Sequence, residues 1–314
     1  MSARLVHMEW LAVIHAVVHV LVVLAMPPLL LGVIAKTKAV FAGHVGPPVL
    51  QPYYDVVKLL QKGSVFSTTT TWMFLAGPVV SLATAVSAGM LMPLGSHAAP
   101  ISFEGDLILF AYLLALGRFF TASAALDTGS AFEGMGAARE VTFACLAEPA
   151  VFFALLVLAK LSDSLSLTGM FREPLFAKWD AAGASLVLVT VSLFIVLLAE
   201  NSRIPFDDPN THLELTMIHE VMVLDHSGPA LGMILYGAAV KLFVLSAFVL
   251  RVALPLDTGN AWLDWLLFLP GMLVVAVVIG IVESTMARLR LVNVPKVLVA
   301  ACLLAAFGLV LVLK

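Results

Sequence analysis

The residues best suited to chemistry are six carboxylates within residues 200–226, where Arg203 is the single arginine. They are Glu200, Asp207, Asp208, Glu214, Glu220 and Asp225. Apolar residues such as Leu213, Met217 and Val221 alternate with them, which is unlike a solvated loop. The pattern predicts a helix wedged between protein and membrane. Carboxylates held close together raise one another's pKa values, which suits proton transfer near neutral pH.

Two groups of histidines suggest either a metal site or a polar relay. His212, His219 and His226 follow one another at intervals of seven and would share a face of a continuous helix. Seven residues span about 10 Å of helix, which is too far for one metal ion. A proton relay or a contact with a partner subunit is the better interpretation. His15 and His19, four residues apart, favour a polar contact between helices.

Two charged residues fall inside long apolar segments. Glu148 lies about seven residues into the fourth predicted helix and is followed by Pro149, and Lys241 lies about eleven residues into the sixth. Charge in a bilayer is costly and points to function by default. Glu148 is therefore predicted to line an ion pathway, with a structural pair to a nearby arginine as the alternative. Lys241 must be paired or lie near water.

Other charged residues lie near predicted helix ends. Arg139 and Glu140 begin the fourth helix, where a solvated pair is expected. Glu283 and Arg288 close the seventh helix, and snorkelling of the arginine to the interface is expected there.

Composition sets the class of protein. Of 314 residues, 61% are apolar and 12% are charged, and the mean hydropathy is +1.06. Soluble domains carry about 25% charged residues. The chain is therefore predicted to be an integral membrane protein, which excludes a soluble enzyme, a nucleic-acid binder and a disordered chain. Two cysteines, Cys145 and Cys302, cannot supply the roughly four ligands of an iron–sulfur cluster.

Apolar segments predict an all-α membrane protein in one domain, residues 1–314, with eight spanning helices. The predicted spans are Trp10–Ala35, Trp72–Leu94, Leu107–Thr121, Val141–Leu161, Ala181–Ala199, Ala230–Leu254, Leu263–Val282 and Val294–Leu313. The first is interpreted as a retained, proline-kinked span and not as a signal peptide. Residues 51–60 predict an amphipathic helix at the interface. More basic residues lie in the inner loops if both termini are outside, which makes the acidic loop cytoplasmic.

Several motifs resemble a known family. Residues 46–59 (GPPVLQPYYDVVKL) and 199–207 (AENSRIPFD) resemble subunit 1 of respiratory complex I. Residues 126–130, 219–229 and 283–290 are similar to a narrower branch. That branch is the membrane subunit of formate hydrogenlyase and hydrogenase-4 (component C), and of related group 4 membrane-bound [NiFe] hydrogenases. Together the motifs extend over nearly the whole chain.

The resemblance implies an eight-helix subunit that anchors a cytoplasmic arm and passes its energy to ion movement across the inner (plasma) membrane. Implied partners are the hydrogenase large and small subunits, an iron–sulfur protein and antiporter-like membrane subunits. The [NiFe] centre and iron–sulfur clusters would lie in those partners, with no cofactor or metal in this chain. Ion-pathway residues would be Glu140, Glu148, Glu200, Asp207, Asp208, Glu214, Glu220, Asp225, Lys241 and Glu283. Partner-interface residues would be Asp55, Lys58, Arg118, Asp127, Arg139, Arg203, His219 and His226.

Three alternatives stay open. The first is a quinone-site subunit of a complex I-like oxidoreductase, which an apolar cavity behind the acidic loop, wide enough for an isoprenoid tail, would favour. Residues 218–229 follow the hydrogenase pattern, which counts against quinone binding. The others are a stand-alone cation transporter and a purely structural anchor.

Overall fold

The structure, a computed structural model, describes residues 2–172, 175–208, 217–255 and 258–313. These ranges consist of helices and the loops that join them, with no strand among them. The α-helices are α1 (Ser2–Phe41), α2 (Gln51–Leu60), α3 (Trp72–Leu91), α4 (Asp106–Asp127), α5 (Ala131–Ser162), α6 (Leu167–Arg172), α7 (Leu175–Glu200), α8 (Gly228–Ala253), α9 (Ala261–Thr285) and α10 (Val294–Leu313). Short 3-10 helices cover Glu220–Val223 and Leu291–Asn293.

Eight of the described helices are long and apolar enough to cross a membrane, which confirms the predicted all-α multi-pass architecture. Because this number is even, both ends of the chain lie on one side, named here the terminal side. The opposite side is named the loop side, and it carries the described residues 42–71, 128–130, 201–208, 217–227 and 286–293.

Several spans are longer than predicted, among them the third and the fourth. The third continues to Asp127, and the fourth, α5, begins at Ala131, ten residues before the predicted start at Val141. Gly134, Gly136 and the charged pair at 139–140 lower the hydropathy of this stretch, which hid it from a search for apolar runs. Because α5 begins early, Glu140 lies well inside a helix.

Helix α1 continues through Pro27 and Pro28, where side chains of other helices form hydrogen bonds with its backbone. A proline has no N–H to donate, so Pro28 leaves the carbonyl of Leu24 without its helical partner. The hydroxyl of Tyr236 on α8 donates to that carbonyl at 2.6 Å. The hydroxyl of Tyr53 on α2 donates to the neighbouring carbonyl of Ala25. The two tyrosines therefore fix α2 and α8 against the proline step of α1.

The amphipathic sequence of α2 forms the predicted helix. Its Leu59 and Leu60 lie against Gly232 of α8, where an added Cβ would come within 3.2 Å of Leu59. Tyr54, Val57 and Leu60 itself stay 50–62% exposed, so apolar side chains of α2 also face outward. An apolar outer face suits a helix that lies in the membrane interface, as the sequence predicts.

Helix α8 is the central helix of the bundle. Of its most apolar window 72% is buried, against 22–44% for the other seven spans. A charged residue on α8 must therefore enter the protein interior. Close packing of α3 against α4 is fixed at Gly117, where an added Cβ would lie 2.6 Å from the hydroxyl of Thr84. This approach sets the position of the next residue, Arg118.

The described part of the acidic loop packs against the bundle but does not form the predicted helix. Residues 217–227 contain a single 3-10 turn, Glu220–Val223. His219 and His226 therefore do not share a helix face, and that prediction is wrong; His212 lies outside the described residues. Most apolar side chains of this segment, among them Val221 and Met222, are nonetheless buried against the bundle, whereas Leu224 is exposed. Burial of these side chains holds the segment without helical hydrogen bonds.

Candidate functional site

Five charged side chains from four helices meet inside the bundle and form what we name the central cluster. Arg118 of α4 is its hub, with 9% of its side chain exposed. Its guanidinium lies 2.5 Å from Glu148, 2.8 Å from Glu200 and 3.9 Å from Glu140. Both nitrogens of the guanidinium fork are used, one on Glu148 and the other on Glu200, which fits the geometry of arginine better than that of lysine.

Lys241 of α8 completes the cluster from the opposite side of Glu200. Its ammonium lies 2.8 Å from the carboxylate of Glu200 and donates to the backbone carbonyl of the same residue at 2.7 Å. Glu200 is therefore held between two cations, with 8% of its side chain exposed. Three carboxylates against two cations leave one negative charge in excess, which is the charge that one added proton would neutralise. Such clusters are unstable unless they are well paired.

Glu148 joins the cluster to the outer surface of the bundle. It lies 17 residues after the start of α5, about 25 Å along the helix and hence near the middle of the span, not near its start as predicted. Of its side chain 42% is exposed. Its outward face also carries Val141, Cys145, Phe152 and Leu156. A carboxylate cannot face hydrocarbon at this depth, so the face requires a polar cover.

Two cavities lie between the central cluster and the loop side. A cavity of about 70 Å3 borders Arg118, Glu200 and Lys241. A larger cavity of about 370 Å3 lies between α1, α2 and α8 behind the acidic loop. The two share the lining residues Asn201, Ser202, His219 and Ala238. Both volumes exceed the roughly 15 Å3 that one water requires and both are lined by polar groups, so each cavity can hold water.

A second group of ion pairs fastens the acidic loop. Glu283 at the end of α9 has a fully buried side chain and pairs with Lys38 of α1 at 2.9 Å and with Arg203 at 3.3 Å. Asp207 pairs with Arg288 at 2.9 Å. The sequence predicts that Arg288 snorkels and that Arg139 and Glu140 form a solvated pair at a helix start. Both predictions are corrected, because the bundle supplies internal partners that the linear sequence does not show.

Asp207 also organises the backbone after the undescribed residues. Its Oδ2 accepts the backbone N–H groups of Ile218 at 2.9 Å and His219 at 3.1 Å. Its Oδ1 accepts the N–H of Asp208. The Asp207 carboxylate therefore ties residues on both sides of the gap 209–216 together. Glu214, predicted as an ion-pathway residue, lies outside the described residues.

The remaining predicted loop carboxylates lie nearer the surface. Glu220 begins the 3-10 turn and lines the 370 Å3 cavity. Asp225 is exposed, and its backbone N–H donates at 3.0 Å to Glu133 of α5. Glu133 is almost fully buried and holds this end of the loop against α5.

Of the residues predicted at partner interfaces, some are exposed and others are paired within the chain. Asp55 and Lys58 are exposed on α2. Asp127 accepts the backbone N–H and hydroxyl of Thr71 at 2.6 and 2.8 Å, so it caps α3. Arg118 is inside the central cluster and Arg203 pairs with Glu283, as described above.

Arg139 and His226 lie where the acidic loop meets the helices. Arg139 donates to the backbone carbonyl of Met217 at 2.9 Å. The His226 ring is buried and stacks on Phe74 at 3.9 Å. Burial lowers the pKa of His226, although the Phe74 carbonyl and the nearby Asp225 oppose this effect. Burial therefore favours the neutral form of the His226 ring.

Sequence analysis missed several residues that the structure brings into charge networks. Lys38 and Arg288 belong to the ion pairs that hold the acidic loop. Glu133, Asp106 and Asp264 are buried carboxylates. Lys38 and Arg288 were visible as basic residues at helix ends, but their partners come from distant parts of the chain. Asp106 accepts the hydroxyl of Ser166 at 2.9 Å and the N–H of Leu167 at 2.6 Å, which a linear pattern cannot reveal.

The fold and the buried charges define a multi-pass membrane protein with an internal ion-pair network that opens to one side. Residues 13–314 match the family model described as NADH dehydrogenase. The chain belongs to this family, the complex I subunit 1-like proteins, as its motifs predict.

Three relatives illustrate the range of the family. The chain is 30% identical to formate hydrogenlyase subunit 4 of Escherichia coli K12, covering 91% of this chain and 94% of the relative. It is 32% identical to hydrogenase-4 component C of the same organism, covering 88% and 89%. It is 27% identical to a subunit of the NADH-quinone oxidoreductase of Burkholderia vietnamiensis, covering 73% and 66%. The hydrogenase relatives therefore match over more of the chain than the quinone-linked relative does.

A solved structure has the same fold. The chain aligns with a chain of the membrane-bound sulfane sulfur reductase, an archaeal respiratory membrane complex, with a TM-score of 0.80 and 22% identity. The alignment covers 96% of this chain and 99% of that one. The two chains therefore share one arrangement of helices.

Proposed function

We propose that this chain is the membrane-anchoring and energy-coupling subunit of an ion-translocating group 4 [NiFe]-hydrogenase or formate hydrogenlyase-type complex. Redox chemistry takes place in a soluble arm on the loop side, and this subunit links it to proton or sodium movement. The relatives named above support the type of complex, because two hydrogenase subunits match nearly the full length of the chain.

The central cluster is the observation that carries the coupling role. It runs from the cavities on the loop side, through Glu200, to Glu148 on a lateral face in the middle of the membrane. A cluster that served structure alone would have no reason to expose a carboxylate at that depth. Antiporter-like membrane subunits would cover this face and continue the ion path. Hydrogenase large and small subunits and an iron–sulfur protein would dock on the loop side.

Cofactors belong to those partners in this proposal. Among the described residues no group of three or more His, Cys, Asp or Glu side chains is placed to hold a metal ion. The complex would lie in the inner (plasma) membrane with both ends of this chain outside and the acidic loop in the cytoplasm. The [NiFe] centre and the iron–sulfur clusters would then lie in the arm below the loop.

Neutral variants of the cluster test this function. In inverted membrane vesicles that make hydrogen, Glu148→Gln should lower the number of ions moved per hydrogen molecule several-fold. The charge that an ion must pass would be missing, while hydrogen production and assembly of the complex should continue. Glu220→Gln, at the loop-side cavity, should act in the same direction.

Glu104→Gln is the matched control, because Glu104 is an exposed glutamate on the terminal side. It should leave the ratio of ions to hydrogen unchanged. Glu148→Gln and Glu220→Gln vesicles with the wild-type ratio would refute the ion-path assignment.

The 370 Å3 cavity favours a second candidate, a quinone-site subunit of a complex I-like oxidoreductase. Its position behind the acidic loop is where that alternative requires space. However, the quinone-linked relative is less similar to the chain and matches less of it than the two hydrogenase relatives do. This candidate therefore ranks second.

A further inference from the structure

Four residues form the boundary between the 70 Å3 cavity and the 370 Å3 cavity, and we name them the junction. They are Asn201, Ser202, His219 and Ala238, each of which lines both cavities. Asn201 directly follows Glu200 in the chain, and Ala238 lies one turn before Lys241 on α8. The junction therefore lies beside the ion pair of Glu200 and Lys241, and a water-filled connection between the two cavities would cross it.

The side chain of Asn201 has a fixed orientation at the junction. Its amide nitrogen donates to the backbone carbonyl of Leu197 at 2.8 Å. A carbonyl can only accept, so this bond identifies which end of the amide is the nitrogen. The opposite atom, Oδ1, is buried and accepts no hydrogen bond from any residue that the structure describes. A buried amide oxygen without a donor is unfavourable, and in native proteins such an atom usually bonds to ordered water.

The end of α7 holds Asn201 in this place. Ser202 has a left-handed backbone with a φ of 50°. Its N–H donates to Ala199 at 3.1 Å and the N–H of Arg203 donates to Leu198 at 2.9 Å, which is the Schellman arrangement that ends a helix. Glycine is common at this position because a side chain strains the left-handed backbone. Ser202 nonetheless has a side chain and is buried at the junction, and strained residues of this kind are typical of functional sites.

We propose that Oδ1 of Asn201 holds a water molecule at the junction, and that protons pass through this water from the 370 Å3 cavity to the central cluster. The inference rests on the proposed function, in which Glu200 belongs to the ion path. Asn201 is a positioning residue in this proposal, because it orients the water and takes no proton itself.

The hydrogen bond to Oδ1 gives the water a direction. A water that donates one hydrogen to Oδ1 keeps one hydrogen and two lone pairs for other partners. The second hydrogen can be donated toward the central cluster, while a lone pair accepts a hydrogen from water in the 370 Å3 cavity. When a proton arrives from that cavity, the water passes its own hydrogen inward and remains a water. The excess negative charge of the central cluster attracts the proton in this direction.

Cryo-electron microscopy of the intact complex tests for the water directly. At a resolution that shows ordered water, density should lie about 3 Å from Oδ1 of Asn201. Asn201→Leu keeps the approximate volume of the side chain and removes the acceptor, so this density should be missing in that variant. A protein donor at Oδ1 in place of water would overturn the proposal, and so would a junction without water density.

Proton transport tests whether this water serves the ion path. In inverted membrane vesicles that make hydrogen, Asn201→Leu should lower the number of protons moved per hydrogen molecule several-fold. Asn201→Thr supplies another acceptor oxygen and should keep most of the wild-type ratio. Asn293→Leu, the same substitution at a loop-side asparagine that lines neither cavity, should keep all of it. Equal losses in Asn201→Leu and Asn201→Thr would overturn the proposal, because the acceptor oxygen would then be irrelevant.

Ala238→Val reaches the same water from α8 and leaves Asn201 intact. It should lower the ratio by displacing the water, and it decides the question if Asn201→Leu does not assemble. The result for Glu148→Gln distinguishes this proposal from the proposed function. A lowered ratio in Glu148→Gln together with wild-type ratios in Asn201→Leu and Ala238→Val would retain the ion path and overturn the role of Asn201.

Discussion

At the scale of single residues, some of the buried charged residues could be predicted from the sequence and others could not. Glu148 and Lys241 stand out because each interrupts an apolar run, and the structure places both in the central cluster. The sequence assigns Arg118 to a partner interface, since no linear pattern brings it to Glu200, which lies 82 residues away in the chain. Pairing of this kind is set by tertiary packing, as at Gly117 and Thr84, and therefore emerges only in three dimensions.

Arg118 should be the residue whose loss costs the most stability. Arg118→Met leaves three carboxylates with Lys241 as their one partner, and breaking a buried pair costs about 3–5 kcal/mol. The free energy of unfolding, measured by denaturant titration of the detergent-solubilised chain, should fall by about this amount. Lys58→Met, at an exposed lysine of α2, is the control and should stay within about 0.5 kcal/mol of wild type. Equal losses in the two variants would contradict a cluster held by Arg118.

At the scale of elements, hydropathy located all eight spans because lipid requires every spanning backbone to be helical and apolar. It did not locate the first ten residues of α5, since glycines and charged residues there face the protein and not the lipid. The prediction for the acidic loop failed for a different reason. Its apolar residues predicted burial correctly, but Asp207 and Glu133 hold its backbone by side-chain hydrogen bonds in place of a helix.

Asp207 should control how firmly this loop is held. Asp207→Asn loses the ion pair with Arg288 and weakens the bonds to the N–H groups of Ile218 and His219. Charged hydrogen bonds contribute about 1.5–3 kcal/mol, so hydrogen exchange of residues 217–219 should accelerate by at least tenfold. Asp225→Asn, an exposed aspartate of the same loop, should leave those rates unchanged. Unchanged rates in Asp207→Asn would show that apolar packing alone holds the loop.

At the scale of the whole molecule, the chain has two surfaces that we expect partner proteins to cover. One is the lateral face around Glu148, and the other is the loop side with its cavities and the exposed charges of α2 and Asp225. Each surface suits a different kind of partner: a membrane subunit fits the first, and a soluble arm fits the second. A stand-alone transporter would explain neither surface.

The composition of the intact complex should therefore separate the candidate functions. A tagged chain purified in mild detergent should bring both nickel and iron with it, in a large assembly, because the proposed soluble arm carries the [NiFe] centre and the clusters. A chaotropic wash of the membranes should remove these metals and leave this chain behind, since its eight spans hold it in the bilayer. Iron and flavin without nickel would favour the quinone-linked candidate. A chain that purifies alone and free of metal would refute both, because neither the exposed Glu148 nor the loop-side surface would then have a partner to cover it.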